Sequence, residues 1–156
     1  MPSKKSETWK SQLACSESDL QKIAQELAIE LKSGDRVFLE GTLGTGKSTF
    51  ARWMLQSLGL KQSLEGSPTF PIAHEYKTSM GEVIHIDFYR LRSEDEIFDA
   101  GIEEYFWGRN ATVFCEWISQ WPQFEKKVLK SSGESARVWK VELGLVDETH
   151  RNIRIS

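Results

Sequence analysis

From Leu20 to Leu31 the apolar residues Leu20, Ile23, Ala24, Leu27, Ala28 and Leu31 recur at the spacing of one helical face. Ser16-Glu17-Ser18-Asp19 in front of them is a helix-start signature, and Gly34 beyond them is a stop. Arg36 to Glu40 (RVFLE) then predicts a short strand, and residues 47–58 predict a helix closed by Gly59. Residues 71–76 and 83–89 predict two strands joined as a hairpin through the turn-like stretch 77–82. Ser93-Glu94-Asp95-Glu96 is a second capping signature, opening a helix that carries Ile97, Phe98 and Ile102, with Tyr105 and Phe106 near its far end. Residues 111–115 (ATVFC) form a near-continuous apolar run, the mark of a strand buried on both faces. In residues 137–145, Val138, Trp139, Val141, Leu143 and Leu145 are interleaved with polar residues, and residues 152–155 are placed to pair with that strand across the loop 147–150.

This order predicts an α/β fold: a three-layer P-loop NTPase-like domain with a mixed parallel/antiparallel sheet, parallel around the glycine-rich turn and extended by antiparallel hairpins. There is no internal repeat. At 156 residues the chain suits one compact domain, burying roughly two thirds of its unfolded surface. Residues 1–12 are expected to be a flexible tail and 13–156 the single domain.

Charge and composition narrow the function classes. No apolar run approaches the ~20 residues that cross a bilayer, and residues 1–12 lack the apolar stretch of a secretory signal, so a cytoplasmic protein is expected. Cys15 and Cys115 read as reduced, packed thiols, because no disulfide framework surrounds them. A net charge of −3, with acids and bases mixed, weighs against direct gripping of nucleic acid, which calls for a basic stripe.

The chemistry begins at Gly41-Thr42-Leu43-Gly44-Thr45-Gly46-Lys47-Ser48, which satisfies G-x-x-x-x-G-K-[ST] between a predicted strand and a predicted helix. Polyphosphate needs many donors at close range, and glycines let backbone N–H groups converge on it without interference from Cβ. The helix start adds partial positive charge. Lys47 is expected to reach the β- and γ-phosphates of ATP, Ser48 to coordinate Mg²⁺, and Thr49 to add a hydroxyl near the α-phosphate.

Such a loop is completed by an acid at the end of a neighbouring strand. Two are available. The period of two puts His85, Asp87 and Tyr89 on one face and Ile84, Ile86 and Phe88 on the other, and the polar row suits a site wall. Glu116 ends the apolar strand, where an uncompensated charge is costly and a metal or its water shell offsets that cost. Ser67-Pro68-Thr69-Phe70 is a stiffened turn able to present Thr69 to a γ-phosphate.

Taken as a set, residues 41–49 with Phe50, Ser67-Pro68-Thr69-Phe70, His85-Ile86-Asp87-Phe88-Tyr89-Arg90, Glu116-Trp117 and Arg151-Asn152-Ile153-Arg154-Ile155 resemble the TsaE family. These are bacterial P-loop ATPases needed for threonylcarbamoyl modification of adenosine 37 in tRNA. The resemblance covers roughly residues 13–156. It implies that Ser48 and Glu116 stand at the Mg²⁺-associated positions, Asp87 at that of the acidic strand residue and Thr69 at that of a switch-like threonine. It places Ser16, Asp19, His150 and Arg151 near the adenine end. It also implies the partners TsaB and TsaD, with tRNA reached through that complex. Thr42 departs from the pattern, which usually has Asp or Glu there.

Other classes remain as alternatives. A small-molecule P-loop kinase opens with the same strand, loop and helix but needs an acceptor pocket, and the sequence identifies none. A nucleotide-gated binding module would hydrolyse ATP only incidentally. A Ras-type GTPase needs Asn-Lys-x-Asp, which the chain lacks.

Overall fold

In the computed structural model the described residues are 7–60, 62–63, 72–131 and 136–156, the pair 62–63 by backbone alone. Among the described residues, eight strands form one sheet in the order β1-β8-β7-β2-β6-β5-β4-β3. The strands are β1 (Lys10–Cys15), β2 (Arg36–Glu40), β3 (Gln62–Ser63), β4 (Ala73–Thr78), β5 (Gly81–Asp87), β6 (Thr112–Glu116), β7 (Val138–Leu145) and β8 (Arg151–Ile155). β2 runs parallel to both β6 and β7, and β5 runs parallel to β6. Antiparallel partners extend this core at either side: β8 and β1 beyond β7, β4 and β3 beyond β5. The expected mixed sheet is therefore present.

Five α-helices among the described residues cover the sheet: α1 (Glu17–Glu30), α2 (Lys47–Ser57), α3 (Asp95–Asp99), α4 (Glu103–Trp107) and α5 (Pro122–Ser131). Strand alternation divides the core. Val37, Leu39, Phe114, Val83, Val141 and Ile153 pack beneath α1 and α2, with Leu27, Phe50 and Met54 among the helical side chains that meet them. Phe38, Ile84, Ile86, Val113 and Cys115 face the other way, against Ile97 of α3, Ile102 at the start of α4, Phe106 of α4 and Phe124 of α5. These are the three layers. Both cysteines are free and buried. None of the helices, among the described residues, is long and apolar enough to cross a membrane.

Where structure and sequence reading part, the cause is local. α1 begins as expected, with Ser16 and Asp19 forming a reciprocal capping box. Residues 10–12, expected within a tail, belong instead to β1, where Lys10 and Gln12 pair with Ile155 and Ile153. The hairpin turn is tighter than residues 77–82, since the ladder continues to the pair Thr78 and Gly81. Tyr89 lies in a 3₁₀ turn, Phe88–Arg90, rather than in the strand. The helix expected from Ser93 through Phe106 is two helices. Gly101 adopts φ 67, its N–H bonds to Phe98 O, and the Ile102 N–H bonds to Ile97 O. This pair of bonds around a left-handed glycine ends α3 as a Schellman motif. The sequence predicts no helix or strand at α5, β1 or β3.

The amino-terminal edge of the sheet is tied by Asp35, which is only 2% exposed. Its carboxylate accepts from Lys32 N at 3.0 Å, Trp139 Nε1 at 3.1 Å and Arg137 Nη2 at 2.8 Å, joining the end of α1 to β2 and β7. Replacing Asp35 with Ala leaves the Lys32 amide and the Trp139 indole without their acceptor. Asp35→Ala is expected to lower stability by about 3 kcal/mol, measured by urea unfolding, with the midpoint shifted and the slope retained.

Candidate nucleotide site at the carboxyl edge of the sheet

The loop between β2 and α2 takes its shape from three glycines in the left-handed region. Gly41 (φ 147) admits no side chain, because a Cβ there would stand 2.6 Å from Leu143 O and 2.7 Å from Thr45 Oγ1. Around Gly44 (φ 79) and Gly46 (φ 98) the corresponding space is open, with nothing within 4 Å. Gly46 is the N-cap of α2, and no side chain caps that helix. The first-turn amides and the dipole of α2 therefore face this open space, the requirement for holding an anion.

Lys47, 5% exposed, folds back over the loop. Its Nζ donates to Gly41 O at 2.7 Å and Thr42 O at 2.9 Å, and lies 4.4 Å above the Trp117 ring. Burial pushes its pKa down, and the negative charges of Glu116, Asp87 and Glu40 push it back up in part. Trp117 is held at φ 65, which a bulky residue rarely adopts, and its ring lies 5.0 Å from that of Tyr89.

Glu116, 4% exposed, is the centre of the arrangement. It shares the strand face of Phe114, as His85 and Asp87 share that of Val83, so the row beneath α2 turns from apolar to acidic at the carboxyl ends of β5 and β6. Asp87 and Glu116 are register partners. Ser48 Oγ donates to the Glu116 carboxylate, 3.0 Å from each oxygen and 68 residues away in sequence. His85 Nε2 lies 2.6 Å from Glu116 Oε2. Burial raises the pKa of Glu116, but His85, Ser48 and Lys47 together bring it below the ordinary value. The ionised carboxylate only accepts, so His85 Nε2–H is the donor. Asp87 differs: burial raises its pKa, despite the Tyr89 N–H that it accepts at 3.1 Å and Arg90 at 3.7 Å.

The donor set suits Mg²⁺ held with a nucleotide. Among the described residues no group of three or more His, Cys, Asp or Glu side chains is placed to hold a metal ion by itself. Ser48 and Glu116, with Asp87 alongside, supply few protein oxygens, and Mg²⁺ characteristically combines one or two such groups with phosphate oxygens and water.

A cavity of about 370 Å³ lies on the other side of the loop, between Ser16, Thr49, Phe50, Trp53, His150 and Arg151. The β7–β8 turn that brings His150 there is closed by Asp147, whose carboxylate accepts the Thr149 and His150 N–H groups at 2.8 Å each. These bonds, that to the Thr149 amide first, hold Asp147 down to a pKa of about 2. Arg151 reaches the phosphate loop itself, donating to Thr45 O at 3.2 Å and Gly44 O at 3.1 Å.

Most of the expected site residues thus converge. Gly41, Gly44, Gly46, Lys47, Ser48, Asp87 and Glu116 meet at one edge, where Leu43 is exposed at the rim and Thr42 and Thr45 support the loop. Ser16, Thr49, His150 and Arg151 line the neighbouring cavity. Asp19 is committed to the capping box and does not line that cavity among the described residues. Thr69 and its tetrad lie outside the described residues. The sequence reading placed His85 in the site wall without a role, and its period-two spacing from Asp87 was the available signal. The Arg151 contact with the loop had no sequence signal.

Comparison with known proteins bears on the same residues. The model of the family described as "Threonylcarbamoyl adenosine biosynthesis protein TsaE" matches residues 14–152. Curated proteins named tRNA threonylcarbamoyladenosine biosynthesis protein TsaE are similar. That of Bacillus subtilis (strain 168) is 38% identical over 74% of this chain and 73% of its own length. That of Rickettsia bellii (strain RML369-C) is 32% identical over 90% of each. The solved structure "Crystal structure of Bacillus subtilus YdiB" shares the fold, with TM-score 0.60 and 23% identity over 94% of this chain and 84% of that one. The phosphate loop, its partner carboxylate and the carboxyl-terminal hairpin all lie within the matched span, and the chain belongs to the TsaE family.

Proposed function

We propose that this protein binds and hydrolyses ATP with Mg²⁺ in support of tRNA threonylcarbamoyladenosine biosynthesis, acting in the cytoplasm with TsaB and TsaD and reaching tRNA through them. The observation that carries the catalytic reading is the contact of Ser48 Oγ with Glu116, which sets the loop hydroxyl, the strand carboxylate and Lys47 around one open space.

In this reading the loop amides and Lys47 bind the β- and γ-phosphates, with Lys47 exchanging its hold on Gly41 O and Thr42 O for phosphate oxygens. Ser48, Glu116 and Asp87 are the protein groups that would hold Mg²⁺, which when bound neutralises charge on the phosphate oxygens. Glu116, fixed by His85, orients the attacking water, and its ionised state lets it accept a water proton. Thr69 is assigned to γ-phosphate contact by family resemblance. Ser16, His150 and Arg151 form the wall toward the adenine end, and Thr49, which lines the same cavity, adds its hydroxyl nearer the α-phosphate.

The primary test is isothermal titration of ATP. In folded Lys47→Ala protein, affinity is expected to fall on the order of 10- to 100-fold, the loss of one or two charge-assisted contacts, and unchanged affinity would overturn the assignment.

Glu116→Gln is expected to reduce partner-stimulated turnover by a factor on the order of 10² to 10⁴ while ATP still binds, because the charge is needed most as water attacks. Asp87→Asn, measured alongside, decides the assignment: normal hydrolysis in Glu116→Gln with an inactive Asp87→Asn moves the role to Asp87.

Trp117, in contact with Lys47, is expected to report nucleotide binding. Tryptophan emission should change on adding ATP, and the change should vanish in Trp117→Phe although five other tryptophans remain of the six.

A further inference from the structure

A third cavity, of about 440 Å³, lies beyond Ser48 and Glu116 on the side away from the phosphate loop. It shares Ser48, Asp87 and Glu116 with the phosphate space, so these three side chains form a partition with the loop on one side and this cavity on the other. Arg52 stands on α2 one turn after Ser48 and faces the cavity. His74 is the register partner of His85 across β4 and β5, which puts both imidazoles on the cavity face.

The free charge here is positive. Glu116 is engaged by Ser48 and His85, and Asp87 by the Tyr89 amide and Arg90. Arg52 and His74, both exposed, have no hydrogen bond or ion pair among the described residues. A guanidinium and an imidazole that line one cavity together with Ser48 and Glu116 suit a compact oxyanion. The volume admits such an anion together with several waters, at about 30 Å³ each.

We propose that this cavity is a second anion site that receives the inorganic phosphate formed from the γ-phosphate and leads it to solvent apart from the nucleotide. The proposal rests on the ATPase reading above. In hydrolysis the water oxygen bonds to the γ-phosphorus, the bond from that phosphorus to the bridging oxygen breaks, and a water proton passes through Glu116 to solvent. ADP stays on the loop, occupying the path by which ATP entered. The phosphate, released on the Glu116 side, meets Arg52 and His74.

The test titrates inorganic phosphate into the full chain already saturated with ADP and Mg²⁺, followed by ³¹P NMR and calorimetry. One phosphate is expected to bind without displacing ADP, with affinity reduced on the order of 10-fold in Arg52→Ala and in His74→Ala and partly restored in Arg52→Lys. A protein that takes no ADP overturns both this proposal and the nucleotide reading. A protein that takes ADP but no phosphate, or whose phosphate affinity is the same in both alanine variants, overturns this proposal alone. Phenyl phosphate binding more tightly than inorganic phosphate also overturns it, because the cavity would then be built for a second, organic substrate.

Discussion

Burial of the Glu116 carboxylate is the constraint around which this edge of the sheet is arranged. β6 is buried along its whole length, and a charge at its end would raise the free energy of the folded state by several kcal/mol if left without partners. Three side chains supply them. His85 comes from β5, Ser48 from the first turn of α2, and Lys47 adds its charge from the adjoining position. Each can reach Glu116 only if β5 lies beside β6 and α2 starts at the carboxyl end of β2, so strand order and site geometry impose the same requirement. On the proposed function, phosphate and metal would be held by groups that the fold already needs for compensation.

The phosphate loop has a parallel dependence on the carboxyl-terminal hairpin. Gly41 passes so close to Leu143 O that β7 forms one wall of the loop, and Arg151 on β8 takes up the carbonyls of Gly44 and Thr45. Carbonyls turned toward Arg151 leave the amides of the glycine-rich turn directed to the other side, which is the polarity an anion requires. The hairpin that shapes the cavity at His150 therefore also holds the cradle, and the two ends of a bound nucleotide would be read by one connected element.

Legibility in the sequence followed the strength of the local signal. The glycine-rich loop, the capping box at Ser16 and the apolar run of β6 carry their own chemistry, and the structure has each in place. The alternation in β5 correctly put His85 and Asp87 on one face, yet it held no information on which distant residue that face would meet. The bond from Ser48 to Glu116 spans 68 residues and follows from strand order, which spacing does not encode. β1 escaped notice because its pattern is that of an edge: Cys15 alone is fully buried, and the other five residues are polar or exposed. α5 buries only Phe124 and Val128, one pair at i, i+4, too sparse a stripe to read as a helix. In residues 93–106 the apolar period ran on across Gly101, and the left-handed turn there took precedence over it.

Lys47 shows how the arrangement stands between binding and rest. Its ammonium satisfies two loop carbonyls and covers the Trp117 ring, so the folded chain has a use for this charge before any phosphate arrives. Each charged hydrogen bond of this kind is worth about 1.5–3 kcal/mol, and that contribution would have to be surrendered or shared for Lys47 to turn to a phosphate oxygen. On the proposed function, affinity for nucleotide would be the difference between two well-made sets of contacts rather than the full strength of one. The burial that lowers the pKa of Lys47 also weakens screening around it, which strengthens attraction to phosphate more than attraction to a neutral carbonyl. A lysine poised in this way favours a multiply charged ligand over a neutral or singly charged one, and polyphosphate over water, without any direct contact to the base.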